Sequence, residues 1–330
     1  MRVLVDARSV ASGRGVARYT RRMLEAGAAG DVPQTAWHAV LPAGGPPDPG
    51  LPRHVDVHRS RLPSRVLFGV GAIVGRPRLD AIGGPGTDVV WLPTVAPVAV
   101  SPGVPLVLTV HDLSFLRRPG DFTPYERAWH RAARVDRLVG RAAAVVCDTH
   151  AVAAEVRAQW PGAGDRVHVV VPGVDRAPAT SAAALPPGVP DRFVLFVGAL
   201  EPRKAPDVLA AAFAQARRDG LDAALVVAGT GRMHAALSGP GIHRLGAVDD
   251  AALHALYARA LALVMPSRLE GFGLPPLEAA LHGTPSIVSD LPVFAETLGD
   301  GALRVPVGDV DALAGALRAV AGDERLRTRL

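Results

Sequence analysis

Cysteine occurs once in the 330 residues, as Cys147, so no internal disulfide can form and a reducing cytoplasm is the simplest expected home. Aromatic residues make up only 5% of the chain, too few to interleave with cations as single-strand nucleic-acid binders require. Of the 36 basic residues only Lys204 is a lysine. That skew goes with an abundance of Ala, Arg, Gly and Pro, so the basic balance reads as compositional bias and no nucleic-acid partner is expected. A cleavable leader is not expected either, because Met1 to Asp6 alternates like a strand. The longest uncharged run, Val89 to Val110, carries Pro93, Pro97, Pro102 and Pro105, which a lipid-exposed helix would not tolerate together. No tandem repeat of 20–50 residues is visible.

What is present points to two folded domains. The length exceeds the roughly 250–300 residues at which single cores tend to split, and 49% hydrophobic residues can fill two cores. Residues 1–180 hold 22 basic and 15 acidic side chains, whereas residues 181–330 hold 14 and 16, so the first half is the one suited to an anionic partner. Short apolar runs recur at Val3–Asp6, Ala36–Leu41, Val55–His58, Val89–Leu92, Leu106–Asp112, Ala144–Asp148 and Val167–Val171. Stretches of helical period lie between several of them, which predicts a mostly parallel sheet. From Pro172 to Asp191 periodicity stops and prolines accumulate, as in a linker. The expected division is an N-terminal domain over 1–175, a linker over 176–191 and a C-terminal domain over 192–330. In the latter, strands are expected at Phe193–Val197, Ala224–Ala228, Ile242–Leu245, Leu261–Met265, Ser286–Ser289 and Leu303–Val307. Two doubly wound α/β domains follow, with a site expected in the cleft between them, near carboxyl ends of strands.

The segment from Ser267 to Ala280 is the most informative. A glycine-bearing loop follows a buried strand, and Pro275-Pro276 opens a helix that Gly283 and Pro285 close. Glu270 then sits on the loop and Glu278 near the first helical turn. Free amides of Phe272, Gly273 and Leu274 would suit phosphate or sugar oxygens, and a fixed carboxylate can accept two hydrogen bonds from a vicinal diol. The competing reading makes Glu278 a complement to the helix dipole and leaves Glu270 in solvent. Arg203 and Lys204 stand just before a helix that Pro206 would start. Cations there oppose the dipole by roughly 0.3–1 kcal/mol unless an anion is present, so the pair suits a diphosphate; the alternative is an ordinary exposed basic pair.

The stretches Val197-Gly-Ala-Leu-Glu-Pro-Arg-Lys, Val227-Ala-Gly-Thr-Gly, Leu245-Gly-Ala-Val-Asp-Asp and Pro266-Ser-Arg-Leu-Glu-Gly-Phe-Gly-Leu-Pro-Pro-Leu-Glu resemble the retaining GT-B glycosyltransferases of family four. The N-terminal Asp6-Ala-Arg, Gly13-Arg-Gly15-Val-Ala-Arg18-Tyr19 and His111-Asp112-Leu are similar to its group-one, mannosyltransferase-like members. The resemblance implies two Rossmann-like domains facing an interdomain cleft, with the donor mainly on the C-terminal one. It implies transfer of a hexose from a GDP- or UDP-linked sugar to a glycan, lipid-linked or small-molecule acceptor, with retention, by front-face substitution, and without a metal or other cofactor.

By the same resemblance Arg203 and Lys204 would hold the diphosphate, Glu278 the ribose, and Glu270 the transferred sugar with the amides of Phe272, Gly273 and Leu274. Gly229 and Gly231, with Leu245 and Val248, would line the base. Gly13 and Gly15 would close a loop over donor or acceptor, and His111 with Asp112 would approach the sugar. A lone histidine at that strand end could equally be structural. Relatives usually continue past Leu330 into further helices that pack on the N-terminal domain, so the resemblance implies either an abbreviated C-terminal element or a chain cut short there.

Three features invite other readings. Asp309-Val-Asp311 offers too few ligands for a metal and reads as a helix cap. Arg127, Arg131, Arg134, Arg137 and Arg141 predict one broad helical stripe, read as a solvated face with Trp129 and Leu138 inward; peripheral contact with anionic lipid, or contact with a phosphorylated acceptor, is the alternative. The same two-domain plan would also serve a nucleotide-sugar epimerase or a phosphorylase, and the basic N-terminal half a non-enzymatic polyanion binder.

Overall fold

The computed structural model describes residues 1–10, 15–29, 35–44, 50–174 and 184–330. The chain divides into two compact units, Met1–Pro172 and Gly173–Leu330. The first unit holds β1 (Arg2–Asp6), β2 (Ala36–Ala43), β3 (Val55–Pro63), β4 (Val89–Leu92), β5 (Leu106–Val110), β6 (Ala144–Cys147) and β7 (Val167–Val169) in one sheet of order β3-β2-β1-β4-β5-β6-β7. The second holds β8 (Phe193–Val197), β9 (Ala224–Ala228), β10 (Ile242–Gly246), β11 (Leu263–Met265), β12 (Ser286–Ser289) and β13 (Ala302–Val305), ordered β10-β9-β8-β11-β12-β13. Every pairing between these strands is parallel. The run from Val89 to Val110 becomes β4, β5 and their connection, and no helix among the described residues is long and apolar enough to cross a membrane.

Parallel strands covered on both faces need apolar residues at every position, and β8 shows it. Val194 and Phe196 pack on one face with Phe213, Leu225, Leu317 and Val320, bringing in the helices Pro206–Arg218 and Val310–Gly322. Phe193 and Leu195 pack on the other with Val226, Leu256, Tyr257 and Ala279, bringing in the helices Asp250–Arg259 and Leu274–Leu281. In the first unit the helix Gly15–Ala29 lays Tyr19 and Leu24 against Val3, Val5, Ala39 and Trp91. These two orders reverse direction between β1 and β4 and between β8 and β11, the switch points at which open α/β sheets place ligands.

One local expectation holds and one changes. Asp309 does cap the helix Val310–Gly322, accepting from the Ala312 amide at 2.9 Å. The arginine stripe, however, is not one helix: Arg134 adopts φ 47°, ψ 56° and separates the helices Pro124–Ala133 and Val135–Arg141. Side chains on either side of that left-handed residue no longer share an axis. Arg127 donates to the Phe122 carbonyl at 2.8 Å. Arg141 donates to the carbonyls of Val100 at 2.9 Å and Val104 at 3.1 Å and to that of Ser101. Of the five, Arg131, Arg134 and Arg137 stay exposed.

Candidate functional site

In the second unit the site grows from the two strands that flank the switch point. After β8 the chain turns through Gly198, forms a 3-10 turn at Pro202–Lys204, and enters the helix Pro206–Arg218 through Ala205 at φ 52°. After β11 it runs through Ser267 and Glu270 to Gly273, the N-cap of the helix Leu274–Leu281. Arg268 ties the two loops together. Its amide donates to the Arg203 carbonyl at 2.7 Å, and its guanidinium reaches the Pro202 carbonyl at 2.7 Å. The guanidinium also grips both oxygens of Asp207 at 3.0 and 2.6 Å, and the Asp207 carboxyl falls below the usual carboxylate range, chiefly through those bonds.

The predicted cations and carboxylate do meet, but with each other. Glu270 is 9% exposed and Lys204 7%. Oε1 of Glu270 accepts from the Lys204 ammonium and from the Ser267 hydroxyl at 2.6 Å, and Oε2 stands 3.5 Å from the Arg203 guanidinium. Burial alone would raise the Glu270 pKa, yet the charges of Lys204 and Arg203 and the bonds from Lys204 and Ser267 outweigh it and hold it below the ordinary value. Glu270 is therefore not solvated, and the anion that Arg203 and Lys204 require near the helix start is already supplied by the chain. Arg203, with a 30% exposed side chain, is the open edge of the cluster.

The amides of Phe272, Gly273 and Leu274 carry no hydrogen-bond partner among the described residues. Proline at 275 and 276 removes two of the four donors a helix start normally offers. Any anion at this end therefore meets the loop amides and that of Leu274. Gly273 takes φ 85°, and a Cβ there would stand 2.5 Å from the Phe294 ring, so glycine is required.

Glu278 lies in the second helical turn, not the first, and is 6% exposed; its Oε2 accepts from the Tyr257 hydroxyl at 2.8 Å. The Tyr257 carbonyl in turn accepts from the Thr284 hydroxyl at 2.5 Å, and its ring stacks on His282 at 6.0 Å. A dipole complement would sit in the first turn and face water, so the structure favours a carboxylate fixed by its neighbours. Ser267 and Arg268 lie in the motif that carries Glu270, but the bonds they make are not spelled by it; Asp207 and Tyr257 carry no signal in the sequence, since their partners Arg268 and Glu278 stand 61 and 21 residues away.

For the predicted base-lining residues the structure gives structural duties. Gly229 at φ 149° packs its backbone on Gly198, where a Cβ would come 1.9 Å from the carbonyl oxygen, and Gly231 packs on the Leu200 backbone. Leu245 and Val248 lie partly buried against the Phe193 and Leu195 face of the core.

In the first unit Gly13 lies outside the described residues. Gly15 opens the helix Gly15–Ala29, and a Cβ on it would meet nothing within 4 Å. His111 follows β5 and is tied at both ring nitrogens, Nδ1 to Asp148 at 2.7 Å and Nε2 to the Pro93 carbonyl at 2.8 Å. Both partners are acceptors, so the ring donates twice as an imidazolium. Burial pushes its pKa down, but the bond and charge of Asp148, with Asp112 and the Pro93 carbonyl, outweigh burial and raise it. Tyr19 sets its ring edge-on to His111 at 4.8 Å, and burial together with the Asp148 charge pushes its hydroxyl up to about 12. Asp112 accepts from the Ser114 amide at 2.8 Å and the Ser114 hydroxyl at 2.5 Å, a turn cap. Beside these strand ends Arg8, Ser9, Val16, Thr94, Val95, Ala96 and Trp129 line a recess of about 480 Å³.

Two Rossmann-like units with all-parallel sheets, and a charged cluster at the carboxyl ends of the central strands of the second, define the GT-B class. The glycosyltransferase family 4 profile matches residues 13–177, and that of glycosyl transferases group 1 matches residues 181–330. The chain belongs to this glycosyltransferase family. It is 32% identical to a D-inositol 3-phosphate glycosyltransferase of Kribbella flavida over 94% of this chain and 82% of that protein. It is 31% identical to one of Jonesia denitrificans and 35% identical to one of Saccharomonospora viridis, and there the match spans 60% and 57% of the relative's length. Sucrose-phosphate synthase of Thermosynechococcus elongatus shares the fold with a TM-score of 0.73 at 20% identity, over 99% of this chain and 94% of that one. Anabaena HepE in complex with UDP-glucose does so at 0.71 and 19%, over 99% and 91%.

Proposed function

We propose that the protein transfers a hexose from a nucleoside-diphosphate sugar to an acceptor hydroxyl with retention of configuration. The observation that carries this reading is the buried cluster of Lys204, Arg203, Ser267 and Glu270 beside the unpartnered amides of Phe272 to Leu274. A diphosphate entering there takes over Arg203 and Lys204, and Glu270, released from them, accepts from sugar hydroxyls. The two cations stabilise charge on the departing diphosphate, so the proposal includes no metal. Glu278, held by Tyr257, accepts from the ribose diol.

Retention is assigned to front-face substitution. The bond from the anomeric carbon to the leaving phosphate oxygen breaks with its electron pair going to phosphate, the acceptor oxygen forms the new bond on the same face, and a phosphate oxygen takes the acceptor proton. Catalysis is then positioning and charge stabilisation. The acceptor is assigned to the recess of the first unit where the Arg8 guanidinium, bonded to Asp6 at 2.9 Å, lies 5.6 Å over the Trp129 indole, the ring supplying an apolar face. The relatives named for D-inositol 3-phosphate make phosphorylated polyols a suitable first acceptor panel, and UDP- and GDP-hexoses the donor panel.

The test is a thermal-shift panel with UDP, GDP and their sugars, followed by anomeric analysis of the product by NMR. The proposal expects stabilisation by a nucleoside diphosphate that Arg203→Ala weakens, and a product of unchanged anomeric configuration. Absence of any nucleotide shift, or an inverted product, overturns it.

A further inference from the structure

Between His58 and Leu79 the chain carries Arg59, Arg61, Arg65, Arg76 and Arg78 and no acidic residue. Within that span Val66 to Gly75 is uncharged and mostly apolar. The structure winds Arg65–Val70 as a π-helix that continues into the short α-helix Gly71–Val74. Leu67 at 2% exposure pins the segment to the unit, and the Gly71 backbone packs towards Pro77. The outer side is the reverse of an ordinary surface helix: Val66, Val70, Ile73 and Val74 are 40%, 49%, 64% and 68% exposed. Val70, Ile73 and Val74 share one face by their three- and four-residue spacing at the α-helical turn, and Val66 stands about one π-helical turn before Val70. Tyr125, 56% exposed, stands alongside with the Arg65 guanidinium 5.5 Å over its ring. Scattered exposed apolar residues need no explanation, but a contiguous face of this kind does.

We infer that this face, and not the divided stripe around Arg134, is a docking surface for a bilayer bearing anionic headgroups. Charge complementarity selects the occupant. Arg65 and Arg76 bound the apolar run in sequence and are exposed, as are Arg59 and Arg61 on the strand that precedes it, giving an interfacial segment cations for the headgroups and aliphatic side chains for the acyl boundary. A polynucleotide would use the arginines and leave the four aliphatic side chains without a role. The inference is independent of the transfer chemistry.

The experiment is co-sedimentation of the full chain with vesicles of phosphatidylcholine alone and of phosphatidylcholine with phosphatidylglycerol. The chain is expected to partition onto the anionic vesicles only. Ile73→Asp with Val74→Asp should lower that partition about tenfold or more, since acyl contact is replaced by charge. Each of Arg61→Gln, Arg65→Gln and Arg76→Gln should lower it about fivefold, in line with one interfacial cation apiece. Arg131→Gln with Arg137→Gln should change it little. All these side chains are exposed, so the thermal melting midpoint should persist and certify folding. Failure of the wild type to bind anionic vesicles overturns the inference, as does binding that survives the Ile73 and Val74 changes. Concentration-dependent dimerisation lost in the same double variant, without vesicle binding, would assign the face to a second copy and equally overturn it.

Discussion

At the scale of single residues, the internal pairing of Glu270 with Lys204 has a measurable cost and benefit. Glu270→Ala leaves a buried ammonium without its carboxylate, for which removal of one partner of a buried pair costs about 3–5 kcal/mol. The melting temperature of the free protein should fall, while the further rise on adding UDP or GDP should exceed that of the wild type, because the phosphate then meets an unshared cation. An unchanged or smaller nucleotide shift would contradict the exchange of partners.

Tyr257→Phe removes one hydrogen bond to Glu278 without changing packing volume. The expected result is a few-fold weaker preference for the ribonucleotide over its 2′-deoxy analogue with phosphate binding retained. An unaltered preference would limit Tyr257 to packing. At His111 the sign of the pH effect follows from its raised pKa. With the folded value above the unfolded one, the stabilisation is whole below the ordinary histidine pKa near 6.5 and is lost as pH rises through the raised value. The stability gap between wild type and His111→Gln, measured by denaturant titration, should be wider at acid than at alkaline pH; a gap that widens upward would overturn the imidazolium assignment.

At the scale of elements, the strands were legible because each is a continuous apolar run, the pattern a strand buried on both faces must have. Helix starts at Pro206 and Leu274 were legible from proline, which suits a position lacking an intrahelical donor role. The break at Arg134 was not, since an arginine with positive φ carries no local signal. Nor was the helical segment after Arg65, where glycines interrupt the period. The site was half legible: the loops after β8 and β11 announced their charged residues, but not that these residues bond to one another across 66 positions. The loops after β8 and β9 are held in register by backbone contact at Gly229. Gly229→Ala forces a Cβ into the Gly198 carbonyl and should cost on the order of 2–4 kcal/mol by strain and displacement. A thermal midpoint within a degree of wild type would show that the two loops yield more easily than their geometry implies.

For the molecule as a whole, each unit closes its own core, and five arginines of the basic first half fall between His58 and Leu79, the stretch that carries the exposed aliphatic face. The proposed donor chemistry falls to the second unit, so hydrogen exchange should slow most at Phe272 to Leu274 and at the ends of β8 and β11 when a nucleoside diphosphate is added. No change at those amides would remove the phosphate from this pocket. Cys147, buried beside Asp148 with its thiol pushed up to about 12, should resist thiol reagents in the folded chain.

Lys204 is the sole lysine and is almost wholly covered by its surroundings. A protease that cuts only after lysine therefore has a single target bond in the entire polypeptide, Lys204 to Ala205, in the middle of the buried Glu270 cluster. Its digestion rate becomes a one-hit clock for how often that cluster opens.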